Sequence, residues 1–137
     1  MTHSSHDNAL SSSVPGLGVI IMAAGLGKRM KSSLAKVLHP VAGRPMVLYV
    51  LDIACNLAEQ GVAVIVGHQG TDVRKVVDAV GGQVAVAEQA KQLGTGHAVL
   101  QARPVFGNVA HCRPTRYLIL NGDTPLLTEQ TVRELLA

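Results

Sequence analysis

Three stretches of this 137-residue sequence carry residue types at spacings that suit phosphate chemistry. The first is Ala23-Ala24-Gly25-Leu26-Gly27-Lys28-Arg29-Met30, with Lys36 a short way downstream. Glycines let a backbone turn tightly and bring N–H groups close to an anion. Lys28 and Arg29 add cations, and a guanidinium grips phosphate with a fork of donors. The second is Gln89-Ala90-Lys91-Gln92-Leu93-Gly94-Thr95-Gly96-His97-Ala98, which offers side-chain amides, glycine backbone and a hydroxyl. An amide both donates and accepts, so it can match the edge of a nucleobase. The third is Asn121-Gly122-Asp123, where an ionised carboxylate provides a hard oxygen ligand suited to magnesium.

Each stretch also has a plainer reading. A pair of glycines after a strand is an ordinary turn at roughly even odds. Residues 88–98 read equally as a polar turn with Thr95 capping a helix, and Asp123 as a turn-forming residue. The glycine loop fits neither common phosphate fingerprint. Met30 stands where the dinucleotide motif needs its third glycine, and Pro40, Gly43 and Pro45 interrupt the helix that should follow. The P-loop needs a Ser or Thr after its lysine, where this chain has Arg29. His39, His68, His97 and His111 lack metal-ligand spacing, and His97 falls at a helix start.

The elements that must position these residues are legible from periodicity. Gly18 to Ala23 is a continuous apolar run of strand length. A helix follows over residues 45–59, with Met46, Val47, Val50, Leu51, Ala54, Leu57 and Ala58 on one face. Val62 to Val66 and Gln83 to Ala87 read as the second and third strands. Between them lies a helix capped by Thr71, running to about Val80. Thr95 opens a helix through about Arg103 that Pro104 stops. Arg116 to Asn121 is the fourth strand, and Thr128 begins a last helix running to Ala137. Alternating strands and helices predict an α/β fold: a Rossmann-like, doubly wound, mostly parallel sheet with helices on both faces. Ligands in such sheets bind beyond the carboxyl ends of the strands, where all three stretches fall.

Composition narrows the function classes. Apolar residues make up 47%, with two Tyr, one Phe and no Trp, so the core is aliphatic. Net charge is a mild +3, its twelve Lys and Arg are scattered, and aromatic platforms for stacked bases are lacking; this argues against nucleic acid as a partner. No apolar run reaches membrane-spanning length, and Met1 to Ser13 lacks a signal-peptide core. Residues 1–16 read as a flexible leader containing His3 and His6, and 17–137 as the working unit. Cys55 and Cys112 lack paired spacing, and Cys55 is expected as a buried free thiol, consistent with a cytoplasmic protein. The last helix stops without a Gly or Pro signal, which suggests a chain cut from a longer one.

Taken together, the motifs resemble those of the sugar-nucleotide pyrophosphorylases, a nucleotidyltransferase family. Its common form is an L-A-A-G-x-G-T-R-M loop, then P-K, then G-x-P before a helix. Here Met22, Lys28 and Ala35 replace the usual Leu, Thr and Pro. The run from Gln89 to Ala98 is similar to that of the bacterial N-acetylglucosamine-1-phosphate uridylyltransferases. Residues 121–126 are similar to a Y-G-D-x-P-L motif, with Asn121 for the Tyr. The resemblance covers Gly18 to Ala137 and implies a Mg²⁺-dependent transfer of UMP from UTP to N-acetylglucosamine 1-phosphate for cell-wall precursor synthesis. It implies that Ala23, Ala24, Gly25, Gly27 and Lys28 cradle the triphosphate. Arg29 would stabilise the leaving pyrophosphate and Lys36 the α-phosphate. Gln89 and Gly94 would contact uracil with Thr95 beside them, Asn121 and Gly122 would line the substrate, and Asp123 would hold Mg²⁺. It further implies that the domain continues past Ala137 with sugar contacts and a second metal ligand, followed by a β-helix domain that builds a homotrimer, so that these residues alone are expected to be inactive. Open alternatives are another nucleotidyltransferase of this fold, a non-catalytic nucleotide-binding module and, least supported, an oxidoreductase.

Overall fold

The computed structural model describes residues 12–68, 70–107 and 113–137. His3, His6, His111 and Cys112 lie outside them.

Four parallel strands form the central sheet: β1 (Leu17–Ala23), β4 (Val62–Gly67), β5 (Val84–Gln89) and β6 (Arg116–Asn121), in the order β5-β4-β1-β6. Between β1 and β4 a small antiparallel pair, β2 (Pro40–Val41) and β3 (Arg44–Pro45), leads into helix α1 (Met46–Leu57). The remaining helices are α2 (Thr71–Asp78), α3 (Thr95–Leu100), α4 (Arg103–Gly107) and α5 (Glu129–Leu136). The expected parallel α/β architecture is therefore present. The order of strands reverses at β1: chain progression runs outward through β4 and β5, then returns to the far side as β6. The β1/β6 boundary is thus a topological switch point, which opens a crevice at the strand ends.

Side-chain alternation along the strands divides the core. Leu17, Val19 and Ile21 face one way and pack with Val47, Val50, Leu51 and Ala54 of α1, Val73 and Val77 of α2, and Val132 of α5. Ile20, Ala63 and Ile65 face the other way, against Ala98, Ala102 and Phe106. Both faces of β1 and β4 are buried, which explains their unbroken apolar runs. Full burial of each such aliphatic side chain contributes roughly 1.5–3 kcal/mol.

Several local expectations need correction. Gly70, not Thr71, is the N-cap of α2, and no side chain caps it; Thr71 is already helical. Gly94 likewise holds the N-cap position that Thr95 was expected to fill. Thr128 does cap α5, accepting from the Thr131 N–H. Pro104 does not end the helical region. It sits in the first turn of α4, where its missing N–H has no helical partner to lose. Cys55 is exposed rather than buried, because it lies at the margin of the apolar stripe of α1. Ile53, on the other margin, takes its place in the core. Strand β5 runs on to Gln89 instead of stopping at Ala87. Strand β6 buries Leu118 and Leu120 but leaves Tyr117 and Ile119 about half exposed, with Tyr117 meeting the Phe106 ring of α4 edge-on at 5.4 Å between centroids. Ahead of β1, Val14 bridges to Ala58 and its N–H donates to the Leu57 carbonyl at 2.8 Å.

Candidate active site

The loop leaving β1 is shaped by one glycine in particular. Gly27 has φ +56°, and a Cβ there would stand 2.9 Å from the Lys36 Cβ. Conformation and space both exclude a side chain. The absence of one lets two 3₁₀ turns, Lys28–Met30 and Lys36–Leu38, pack side by side. Val37 and Leu38 anchor the second turn in the core, so Lys36 is held at the rim while Lys28 and Arg29 stay exposed.

Opposite, the end of β6 delivers Asp123. The Gly122 N–H donates to the Met22 carbonyl at 2.9 Å, continuing the β1–β6 ladder one step beyond the strands. A Cβ on Gly122 would meet the Met22 carbonyl oxygen and Val37 Cγ1, both at 3.2 Å. Lacking one, the chain turns close over β1 and brings Asp123 to Lys36, whose Nζ lies 2.6 Å from Oδ2. Both side chains remain partly exposed to the crevice.

The third wall comes from the β5–α3 connection. Gln89, at the end of β5, is 3% exposed, and its amide nitrogen donates to the Gly94 carbonyl at 3.1 Å. Gln92 donates from Nε2 to the Ala24 carbonyl at 2.5 Å, clasping this connection to the β1 loop. Gly94 turns the chain at φ +99° into α3.

These walls enclose a cavity of about 480 Å³. Of the residues singled out in the sequence, Ala24, Gly25, Gly27, Lys28, Arg29, Lys36, Gln89, Gly94, Thr95, Asn121 and Asp123 line it. Ala23 and Gly122 do not; they are buried beneath and support the floor. Gln92, whose amide stands out in the sequence beside that of Gln89, also lines the cavity, as do Met22, Met30, Val37 and Ala98, which the sequence did not single out as site residues. The clasp by Gln92 is a long-range bond that sequence spacing does not reveal. Val37 and Ala98 show only as apolar positions.

Three cations against one carboxylate make the cavity electropositive. Among the described residues, Lys28 and Arg29 enter no ion pair, which leaves their donors available to an anion. Among the described residues no group of three or more His, Cys, Asp and Glu side chains could hold a metal ion. One carboxylate beside a glycine loop bearing two cations outside any ion pair is a donor set compatible with a magnesium ion that takes most of its ligands from water and phosphate.

The model of the MobA-like NTP transferase domain matches residues 19–137. The chain belongs to this NTP transferase family. Within the family it is 51% identical over 121 residues to the bifunctional protein GlmU of Cupriavidus taiwanensis, covering 88% of this chain and 25% of that protein. The chain thus spans about a quarter of the length of the curated relatives it matches. Among solved structures, its fold is similar to the inositol-1-phosphate CTP transferase from T. maritima (TM-score 0.62, 22% identity, 77% of this chain and 43% of that one). It is also similar to the 4-diphosphocytidyl-2C-methyl-D-erythritol synthase from Anaerococcus prevotii (TM-score 0.65, 16% identity, 94% and 52%). Among the described residues, no helix is long and apolar enough to cross a membrane.

Proposed function

We propose that this chain forms the UTP-binding part of a uridylyltransferase that makes UDP-N-acetylglucosamine and pyrophosphate from UTP and N-acetylglucosamine 1-phosphate. The observation that carries the reading is the convergence of Lys28, Arg29, Lys36 and Asp123 with Gln89 and Gly94 on one cavity. Cations and a metal-binding carboxylate suit a triphosphate, while a buried amide and glycine backbone suit a base. The resemblance of the Gln89–Ala98 run to that of the N-acetylglucosamine-1-phosphate uridylyltransferases supports uridine over other nucleosides.

In this reading the loop of residues 25–29 holds the β- and γ-phosphates through backbone N–H groups and the Lys28 and Arg29 side chains. Lys36 leaves Asp123 for the α-phosphate. An oxygen of the sugar phosphate attacks the α-phosphorus in line, a P–O bond forms, and the bond to the β-phosphate oxygen breaks as pyrophosphate departs. The nucleophile is already anionic, so no general base is required, and positioning with charge stabilisation carries the catalysis. Arg29 neutralises charge on the leaving pyrophosphate. Asp123 would hold Mg²⁺, which when bound neutralises phosphate charge. Sugar contacts, a second metal ligand and trimer contacts belong in this proposal to chain beyond the 137 residues. The setting is cytoplasmic cell-wall precursor synthesis. A second reading, another nucleotidyltransferase of the same fold, draws on solved relatives whose names refer to CTP or cytidyl chemistry.

Calorimetric titration of the chain with UTP, CTP, GTP and ATP in magnesium tests this. Saturable binding with UTP preferred is expected. Arg29→Ala should weaken UTP binding about tenfold or more, as loss of a charge-assisted contact implies. Absence of saturable UTP binding, or an unaltered affinity in the variant, overturns the reading.

A further inference from the structure

We propose that His97 is a positioning residue for base selection, locking the Gln89 amide so that only its acceptor oxygen faces the nucleotide. The proposal rests on the reading of the cavity as a nucleoside triphosphate site and adds the device that sets its preference.

Gln89 closes β5, lines the cavity and is otherwise buried. Its amide nitrogen has two neighbours, the Gly94 carbonyl oxygen at 3.1 Å and His97 Nδ1 at 3.0 Å. A carbonyl oxygen can only accept. Turning the amide over would press Oε1 against it, so the end facing Gly94 must be the NH₂. Its second hydrogen then points to His97 Nδ1, which must be an acceptor. The imidazole is therefore the tautomer protonated on Nε2. Gln101 Nε2 donates to the His97 carbonyl at 3.0 Å, which fixes that amide, and its 3.3 Å contact with His97 Nε2 competes with Gln89 for the single acceptor nitrogen of the ring. A neutral imidazole has one acceptor nitrogen, and the shorter contact to Gln89 takes it.

Both hydrogens of the Gln89 amide are then used within the protein. Its Oε1 has no hydrogen-bond partner among the described residues. Nor is it sealed away, since among them His39 Nε2 alone is a fully buried side-chain polar atom without a partner. An acceptor with no donor to offer pairs with a ring N–H, as on N3 of uracil. It opposes the lone pair on N3 of cytosine. A pocket that leaves such a group unpaired against the wrong base discriminates by about tenfold or more.

Two measurements on the whole chain test the proposal. Long-range ¹H–¹⁵N spectra of the imidazoles, with His97 assigned from its absence in His97→Asn, should show the Nε2–H tautomer; an Nδ1–H tautomer overturns the proposal. Calorimetric UTP and CTP affinities should differ by about tenfold or more in the wild type. His97→Ala should bring the ratio to within about threefold, and His97→Asn, whose Oδ1 can accept in place of Nδ1, should restore most of it. If His97→Ala weakens both nucleotides equally and keeps their ratio, the residue is merely structural and the proposal falls. Failure of the wild type to bind either nucleotide would overturn the site reading together with this one. A site that binds nucleotide with an unchanged ratio removes the role of His97 alone.

Discussion

Lys36 Nζ lies 2.6 Å from Asp123 Oδ2, so the carboxylate proposed to hold a metal ion is paired with an internal cation. The pair bridges two rims of the cavity, one supplied by the 3₁₀ turn after β1 and the other by the end of β6. Magnesium and a triphosphate would together replace both halves of it, the ion taking the carboxylate and the α-phosphate taking the ammonium.

This exchange predicts the behaviour of Asp123→Asn. In the wild type, magnesium should strengthen UTP binding severalfold. In Asp123→Asn that enhancement should shrink to less than about twofold, while binding without magnesium should be retained, since the variant removes an anion that repels phosphate. Titrations with and without magnesium read both quantities. An undiminished magnesium effect would remove Asp123 as the metal ligand.

Gly122 is expected to be intolerant of even one added carbon. Its Cβ would crowd the Met22 carbonyl oxygen and Val37 Cγ1 at 3.2 Å, beside the ladder bond from the Gly122 N–H to Met22. Gly122→Ala should lower stability by about 1–3 kcal/mol, the usual cost of overpacking a tight site. It should also displace Asp123 and reduce the magnesium effect. Urea unfolding gives the first quantity and nucleotide titration the second; wild-type values in both would show that the close approach is not maintained in solution.

Glu59 predicts an acid-sensitive joint away from the cavity. Its Oε2 accepts from the Gly16 N–H at 2.6 Å and from Gln60 Nε2 at 3.2 Å, tying the segment after α1 to the start of β1. The Gly16 bond first, and the Gln60 bond second, hold its pKa below the ordinary glutamate value. A carboxyl depressed on folding contributes stability above its unfolded value and loses it as pH falls through the folded value. Wild type should therefore lose more stability than Glu59→Gln on acidification below the ordinary glutamate range, and the two should differ by a constant amount near neutrality. Thermal melts across pH check this; parallel curves through the acid limb would deny the linkage.

The amino-acid sequence by itself determined the order of the four core strands and the helical regions between them, though not the small β2–β3 pair or the division of α3 from α4, and the three stretches from which the cavity is built. Continuous aliphatic runs such as Val62 to Val66 have no stable place except a strand covered on both sides, and glycines at 25 and 27 force a turn wherever the first strand ends. These are local constraints, legible without knowledge of neighbours. The tertiary structure alone decided which side chains meet. Parallel pairing of β1 with β6 set Asp123 against Lys36, and the Gln92 clasp on Ala24 closed the third wall. It also decided the margins: Cys55 outward rather than inward, Pro104 inside a helix rather than after one, and Ile119 left uncovered on β6. Periodicity states which face of an element is apolar, but burial at the edge of that face depends on how far the packed neighbour reaches, and only the assembled layers fix that distance.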